Sequence, residues 1–453
     1  MIYKLRNLGV VGAIWIGFFA LPIQAQPQPQ AQPESGVSLS MVGPHMSFFN
    51  QLDHAGILLL NEQAAVLQSK SAQNNFIPAS TTKLLTALLA LRHWGADYRF
   101  KTAFSLVESK SFSTSGANAT IAPDLLVKGY GDPFLVSEEL ILIAKAIAKR
   151  LKERGLDTLS GIQLDTSYYA THLNMPGAGD SDNPYDAIPS PLAANFNTVY
   201  IRKASSGFES AEPQTPMTLT ALDVAQDITH FKKAPDGLIK RVNLGKDELR
   251  GQRYFAELLS AFLRNEGIAV GTQISWQTQP ERARLARRAI SQLSSPSRDL
   301  YLHENSRTLE DIVRPMMLYS TNFVANQLAL NLSAELIAGS ADEHSVAQVY
   351  QQTLKDVFGW SDFHIEDGAG LSRKNRLSPR QLIDVLNAFK PWRHLLPEIE
   401  QNVFAKSGTL FGVSTLAGYI HADKKWYPFA FMINQKVPYR YRNKLVKELS
   451  ERY

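Results

Sequence analysis

Between Ser80 and Gly95 the chain carries a helix-length segment that is apolar on nearly every side. Its leucines do not keep to one stripe, since they fall at Leu84, Leu85, Leu88, Leu89 and Leu91. A surface helix would show a polar face, whereas a helix that is apolar all round is buried. The chain must therefore fold around this helix, which we expect to end at Trp94-Gly95.

The rest of the chain predicts a mixture of helices and antiparallel strands. Helices are expected at Leu140–Leu151, Tyr254–Phe262, Leu309–Leu318 with Ser306 as its cap, Phe323–Leu336, Pro379–Leu386 and Tyr439–Tyr453. Strands are expected as a pair at Gly56–Leu60 and Ala64–Leu67, and as three consecutive strands at Val403–Leu410, Ser414–His421 and Trp426–Asn434. Residues 174–191 are rich in Gly, Pro, Asp and Ser and predict a loop.

The first 25 residues have the pattern of a secretory signal peptide. Lys4 and Arg6 precede an apolar stretch from Leu8 to Leu21, and cleavage is expected after Ala25. An uncleaved anchor is the other reading, although the stretch is short for a bilayer. Residues 26–40 predict an unfolded linker. We therefore expect a periplasmic protein that contacts a membrane only if the signal segment stays uncleaved.

Composition excludes several classes of function. The 453 residues include no cysteine, which rules out thiol catalysis, disulfides and thiolate metal sites. The ten histidines form no HExxH motif or close pair, so no metal site is expected. The formal net charge of +5 is small, and it identifies no partner. We expect no nucleic-acid partner, because exported proteins seldom meet nucleic acid.

Three short motifs are the candidates for chemistry. Ser80-Thr81-Thr82-Lys83 stands at the start of the buried helix, Ser320-Thr321-Asn322 lies between two predicted helices, and Lys406-Ser407-Gly408-Thr409 lies on a predicted strand. Each motif alone is weak evidence, because Ser80 could be only a helix cap and Lys83 only a surface lysine. Together, and in these structural contexts, they predict a serine nucleophile.

The spacing of Ser80 and Lys83 suits a nucleophile and its base. A serine hydroxyl attacks poorly until a base removes its proton. Residues three apart on a helix share one face, so the two side chains lie one turn apart. A lysine acts as a base only when it is partly neutral, and burial and a second cation both lower its pKa. The helix provides the burial, and Lys406 can provide the cation.

The other motif residues have expected roles around the substrate. Backbone N–H groups at the helix start and at Thr409 can stabilise an oxyanion. Gly408 leaves room for close approach of the substrate to the strand, and Lys406 and Ser407 can bind a carboxylate. Ser320 can pass a proton to the leaving amine, and Asn322 can hold the substrate amide.

In this combination the motifs resemble those of penicillin-binding proteins and class A β-lactamases. The long stretch between Lys83 and Ser320 resembles the class C low-molecular-mass penicillin-binding proteins, the D-alanyl-D-alanine carboxypeptidase/endopeptidase family. Further segments that match this family are Ile77–Thr86, Gly129–Pro133, Asp165–Ser167 and Asp367–Arg373.

The resemblance implies an α+β fold. Its catalytic part would be a penicilloyl-serine-transferase (β-lactamase/transpeptidase-like) domain, an antiparallel sheet flanked by helices. Two mainly β domains would be inserted after the Ser-x-x-Lys helix. We expect the catalytic domain at 41–98 and 290–453, inserted domain II at 99–120 and 185–289, and inserted domain III at 121–184.

The resemblance also implies a reaction. A serine D-Ala-D-Ala carboxypeptidase of this family, which can also be a D,D-endopeptidase on peptidoglycan cross-links, would form an acyl-Ser80 intermediate with stem peptides. β-Lactams would acylate the same serine, and no cofactor is needed. Arg373, and Asp182 or Asp180, match positions that bind the diaminopimelate side chain of the substrate. The alternatives are a β-lactamase and a catalytically silent binding protein of the cell envelope.

Overall fold

The computed structural model describes residues 43–109, 122–228, 233–277, 299–337 and 339–452. The predicted signal peptide and linker lie outside these residues, as does the predicted domain boundary at 289/290. Within the described ranges, none of the helices has the length and apolarity needed to cross a membrane.

Helices and strands are interspersed along the described chain, which ends with four successive helices, four successive strands and a last helix. The strands are β1 (Ala55–Leu60), β2 (Val66–Lys70), β3 (Lys101–Val107), β4 (Asp124–Gly129), β5 (Thr158–Asp165), β6 (Thr198–Ala204), β7 (Gly207–Ser210), β8 (Ile239–Asn243), β9 (Ala269–Trp276), β10 (Asp299–Glu304), β11 (Glu398–Glu400), β12 (Val403–Leu410), β13 (Val413–Ala422) and β14 (Lys425–Ile433). The helices are α1 (Pro44–Asn50), α2 (Thr82–Trp94), α3 (Ser137–Glu153), α4 (Leu219–Asp227), α5 (Glu248–Asn265), α6 (Leu309–Tyr319), α7 (Asn322–Leu336), α8 (Glu343–Phe358), α9 (Pro379–Phe389) and α10 (Tyr441–Ser450).

The first sheet is antiparallel and joins the two ends of the described chain. Its order is β11-β12-β13-β14-β1-β2, and β1 pairs with β14 from Ala55 opposite Ile433 to Leu59 opposite Phe429. The predicted strand pair and the three predicted C-terminal strands are confirmed, with shifts of a few residues at their ends. Every residue of β1 is buried, as expected for a strand inside the sheet.

The apolar helix α2 lies in the core beside this sheet, as its sequence predicts. All its residues from Thr82 to Leu91 are buried. Gly95 ends it with a positive φ of 83°, and its N–H donates to the carbonyl of Leu91. A single hydrophobic core joins α2 to residues of α6, α7, α8, α9 and the first sheet.

A second hydrophobic core surrounds a five-stranded sheet of order β10-β3-β4-β5-β9. β10, β3 and β4 are antiparallel neighbours, whereas β4, β5 and β9 run parallel. Helices α3 and α5 pack on each other and against this sheet. A three-stranded sheet, β7-β6-β8, contributes to the same core.

The five-stranded sheet does not follow the predicted division of the insert. β4 lies after the predicted boundary at 120/121, yet it pairs with β3 from Thr102 opposite Gly129 to Val107 opposite Asp124. β10, expected in the catalytic segment, pairs with β3 on its other side. Strand pairing therefore crosses the predicted boundaries at 120/121 and 289/290, and one sheet contains strands from all three predicted domains. The two long helices α3 and α5 also make this region a mixture of α and β rather than mainly β.

The predicted cap of α6 is also wrong. Thr308 is the N-cap, and it forms a reciprocal capping box with Asp311. Ser306 instead donates its hydroxyl and its N–H to the buried carboxylate of Glu139. Ser306 therefore connects α3 to the chain before α6.

Candidate active site

Ser80 lies in a tight turn that leads directly into α2. The turn is a 3₁₀ segment, Ala79–Thr81, and Ala79 adopts a left-handed φ of 48°. Non-glycine residues rarely adopt this conformation, and where they do the strain tends to mark functional sites. The turn is held through the Pro78 carbonyl, which accepts hydrogen bonds from the hydroxyls of Thr81 (2.6 Å) and Thr415 (2.8 Å). Ser80 itself is half-buried.

Lys83 contacts Ser80 from one helical turn further along. Its Nζ lies 3.0 Å from Ser80 Oγ, 2.7 Å from Asn322 Oδ1 and 2.8 Å from the Ala369 carbonyl. The side chain is fully buried, and burial holds the Lys83 pKa well below its usual value. The charge of Lys406 lowers this pKa further, whereas Asp367 opposes the shift. Both causes predicted from the sequence therefore act on Lys83.

The second motif occupies the junction between α6 and α7. Ser320 ends α6 with φ 58° and ψ 39°, in the left-handed region. Its half-buried hydroxyl has no hydrogen-bond partner among the described residues. Asn322 starts α7, accepts from Lys83 through Oδ1, and donates through Nδ2 to the Tyr185 carbonyl at 3.1 Å. Asn322 thus connects Lys83 to the loop that contains Tyr185.

The third motif lies on β12, pressed against the Ser80 turn. A Cβ atom added at Gly408 would lie 2.8 Å from Ser80 N and 2.9 Å from the Pro78 carbonyl oxygen. The strand can approach this turn only because residue 408 has no side chain. The glycine was expected to leave room for the substrate; in the structure it leaves room for the backbone of Ser80. Ser407 is half-buried, and Thr409 is exposed.

Lys406 is a buried cation. Only 2% of the residue is exposed, and its Nζ donates to the Ser407 carbonyl at 2.9 Å. Burial, followed by the nearby charge of Arg442, lowers the Lys406 pKa to about 8.

Asp367 organises the loop behind Lys83, a role that was not predicted from the sequence. Its Oδ1 accepts the N–H groups of Ala369, Gly370 and Leu371 at 2.6–3.0 Å. Its Oδ2 accepts from Ser372 N–H and Asn375 Nδ2. The loop so formed aims the Ala369 carbonyl at Lys83. The Asp-Gly-x-Gly pattern at 367–370 was the available signal, because such a pattern marks a tight turn.

Arg442, on α10, is a second residue that the sequence analysis missed. Its Nη1 donates to the Gly408 carbonyl (2.9 Å), to Thr409 Oγ1 (3.0 Å) and to the Thr415 carbonyl (3.3 Å). Within the described ranges, neither Arg442 nor Lys406 forms an ion pair with an acidic side chain. Two neighbouring cations with restricted access to water favour an anion between them. A carboxylate is the anion that the third motif is expected to bind.

Arg442→Gln should therefore impair substrates that end in a free carboxylate. Hydrogen bonds to charged groups contribute ~1.5–3 kcal/mol, so we expect kcat/KM to fall about 10- to 100-fold. The same peptide with an amidated C-terminus should lose little, because it offers no charge to bind. The control is Arg440→Gln, which removes an exposed arginine two residues away. Equal losses on both peptides would contradict a role in carboxylate binding.

The lowered pKa values also predict the pH dependence of the reaction. Lys406 is charged below about pH 8 and loses its charge above it, so carboxylate binding should weaken as pH rises through this value. Lys83 must be neutral to act as a base, so activity should rise as pH increases through its lowered pKa. A bell-shaped profile of kcat/KM follows. In Lys406→Arg the fall of kcat/KM at alkaline pH should disappear, because arginine stays charged. If the fall is unchanged, a group other than Lys406 causes it.

Of the residues expected at the substrate's side chain, Arg373 and Asp180 are exposed and Asp182 is half-buried. Arg373 is exposed and donates through Nη2 to the Phe411 carbonyl, at the turn between β12 and β13, at 2.6 Å. Asp182 forms an ion pair with Lys240 at 2.8 Å, and Asp180 lies 3.4 Å from Lys246. Their contact with a diaminopimelate side chain stays a prediction.

Comparison with known proteins extends over most of the chain. Residues 51–397 match the D-Ala-D-Ala carboxypeptidase 3 (S13) family, a range that includes the first two motifs and ends before the third. Penicillin-sensitive carboxypeptidase A of Dictyostelium discoideum is 25% identical over 407 residues, 76% of this chain and 74% of that protein. D-alanyl-D-alanine carboxypeptidase DacB of Haemophilus influenzae is 22% identical over 413 residues, 79% of this chain and 80% of that protein.

The fold agrees with this match. The crystal structure of penicillin binding protein 4 from Haemophilus influenzae superposes with a TM-score of 0.67, at 18% identity, over 90% of this chain and 99% of that one. The predicted α+β fold class is thereby confirmed. With a family match over more than half of its length, the chain belongs to the D-Ala-D-Ala carboxypeptidase 3 (S13) family.

Proposed function

We propose that this protein is a periplasmic serine D-Ala-D-Ala carboxypeptidase that acts on peptidoglycan stem peptides through an acyl-Ser80 intermediate. As a member of the family it is a serine-type hydrolase. The observation that carries the assignment of the nucleophile is the 3.0 Å contact between Ser80 Oγ and the buried Nζ of Lys83. A lysine whose pKa is lowered by burial can accept the proton of that serine.

The residues of the site support a two-step reaction. Ser80 Oγ attacks the carbonyl carbon of the penultimate D-Ala, while its proton passes to Lys83 Nζ. The resulting oxyanion is stabilised by the N–H groups of Ser80 and Thr409. The C–N bond then breaks, and terminal D-Ala leaves as its amine takes a proton through Ser320. Water hydrolyses the acyl ester and restores Ser80.

The same site is proposed to accept related acyl donors. In D,D-endopeptidase action, the amine of a cross-link leaves in place of D-Ala. A β-lactam acylates Ser80 by opening its ring, so the leaving amine stays attached. The mechanism uses side chains and water, needs no cofactor, and involves no nucleic acid. Export through the signal peptide would bring the enzyme to this substrate.

Release of D-Ala from a synthetic stem pentapeptide tests the proposal. We expect release from a peptide that ends in D-Ala-D-Ala, and none from one that ends in D-Ala-L-Ala. A cross-linked dimer in the same assay measures endopeptidase action. Rapid hydrolysis of benzylpenicillin without any peptide cleavage would instead favour a β-lactamase. No reaction with any of these compounds would favour a silent binding protein.

A further inference from the structure

We propose that a cavity at the end of α2 remote from Ser80 binds a sugar ring of the peptidoglycan glycan chain. The cavity has a volume of about 240 Å³ and lies where the chain leaves α2 for β3. Its wall combines aromatic rings with polar groups from α7 and β3 and an apolar side chain, Leu302, from β10. Pockets often form at such junctions, where one core meets another. The identification of the sugar as part of peptidoglycan rests on the proposed function. The inference that the cavity binds a sugar ring rests on the cavity alone.

Aromatic side chains make up half of the wall. They come in two nearly perpendicular pairs: Tyr98 with Phe100, at 5.1 Å and 90°, and Tyr130 with Tyr168, at 5.5 Å and 77°. The C–H groups on one face of a pyranose ring pack well against aromatic faces. Within each pair, one ring can present its face to the sugar while the edge of the other ring limits the space beside it.

Polar groups without protein partners are gathered in the same place. Among the described residues, the hydroxyls of Tyr98, Tyr130 and Tyr168 make no hydrogen bond. Glu335 accepts from His93 Nε2 at 2.8 Å and from Trp94 Nε1 at 2.9 Å, and both bonds reach the same oxygen, Oε2. Its Oε1 is therefore available to a ligand hydroxyl or amide. Burial, followed by the nearby charge of Glu335, raises the pKa of Tyr98 to about 12.

The surrounding charges favour a neutral ligand over a cationic one. An aromatic cavity with one carboxylate can also hold an ammonium group. Here Lys128 already lies over the Tyr130 ring, at 5.3 Å from its centroid, and Lys101 lines the wall. Lys101 is paired with Glu304 at 3.4 Å and Lys128 with Asp165 at 3.9 Å, so the charges around the cavity are largely balanced and offer no strong attraction to an ammonium ligand. A neutral ring with several hydroxyl or acetamido groups suits the available acceptor, the phenols and the aromatic faces.

The size and position of the cavity fit one ring near a bound stem peptide. Pockets for drug-sized ligands hold roughly 300–1,000 Å³, so this cavity has room for a single ring rather than an extended ligand. The 13 residues of α2 separate it from Ser80, a distance of about 20 Å at ~1.5 Å per residue. That straight line runs through the buried residues of α2, so a peptide bound at Ser80 would follow a longer path over the surface than the roughly 17 Å that an extended pentapeptide spans. The sugar can come from a neighbouring glycan strand, or from the strand that carries the substrate if its own sugar reaches the cavity.

The test uses the full-length Ser80→Ala protein, which cannot turn over a peptide. Saturation-transfer NMR and calorimetry measure binding of the disaccharide N-acetylglucosaminyl-N-acetylmuramic acid without peptide, with its lactyl carboxyl amidated so that the probe is neutral. We expect binding, with saturation transferred to ring protons of the sugar. Tyr168→Phe and Glu335→Gln in the same background should each weaken binding about fivefold or more, since the first removes a hydroxyl and the second replaces an acceptor oxygen by an N–H donor. Glu310→Gln is the matched control, because Glu310 also accepts from a histidine, His394, at 2.9 Å but lies outside the cavity.

Each outcome decides the proposal. No binding of the disaccharide, or binding that Tyr168→Phe and Glu335→Gln leave unchanged, would overturn it. If a disaccharide pentapeptide binds roughly tenfold or more tightly than either part alone, the sugar belongs to the glycan strand that carries the substrate. If the linked ligand binds no more tightly than its parts, the sugar belongs to a neighbouring glycan strand. Failure of the pentapeptide alone to bind would count against the proposed function, while the disaccharide result would still decide the cavity.

Discussion

Ser80→Ala should abolish release of D-Ala from a D-Ala-D-Ala pentapeptide, with a loss in kcat of about 10⁴-fold or more. The reason is that no other described hydroxyl contacts Lys83 Nζ, whose hydrogen bonds go to Ser80, Asn322 and the Ala369 carbonyl. A coupled assay for free D-Ala under saturating substrate measures the loss.

Stability provides the control for this variant. Among the described residues the Ser80 side chain makes a single hydrogen bond, to Lys83, and it is half-buried, so thermal unfolding should shift only slightly. Thr81→Ser, one residue further along, keeps the hydroxyl that holds the turn to Pro78 and should retain activity. Substantial D-Ala release by well-folded Ser80→Ala would show that the nucleophile lies elsewhere.

Lys83→Met should slow acylation of Ser80 by about 10²- to 10⁴-fold, the usual contribution of a general base. Methionine has a similar length and can occupy the buried space, but it cannot accept a proton. Its loss also leaves Asn322 Oδ1 and the Ala369 carbonyl without the lysine donor. Stopped-flow acylation by a chromogenic β-lactam measures the rate directly, because Ser80 is still present to react slowly.

Lys374→Met is the matched control for Lys83→Met. The Lys374 side chain is 79% exposed and lies 3.5 Å from Glu366, so this change removes a cation without touching the site. We expect its acylation rate to stay within about twofold of the wild-type rate. If Lys83→Met acylated at the wild-type rate, proton removal from Ser80 would have to proceed through another group.

Local patterns were sufficient to predict the elements that carry the motifs. The continuous apolarity of α2 predicted its burial, and the Ser80–Lys83 spacing predicted their contact. The three C-terminal strands followed from their strand-like runs and the tight turns between them. Helix α8 was open to the same reasoning, because its buried residues Val346, Val349, Tyr350 and Leu354 have helical spacing, yet it was not predicted.

The remaining features depend on contacts between distant segments. Nothing in the local sequence of α10 places Arg442 beside Gly408, since that contact arises when the last helix packs beside the first sheet. The five-stranded sheet joins residues 101–107, 124–129, 158–165, 269–276 and 299–304, and its register is set by pairing across long insertions. The role of Asp367 likewise appears only when its loop is folded against Lys83.

The central claim is that Ser80 forms a covalent acyl-enzyme, and the intact mass of the protein after incubation with benzylpenicillin tests it most directly. We expect the wild-type mass to increase by one penicilloyl group, with the adduct mapped to the peptide that contains Ser80, and no increase for Ser80→Ala. An unmodified wild-type protein with penicillin unchanged in solution would contradict acyl-serine chemistry, and an adduct on Ser80→Ala would contradict the choice of nucleophile.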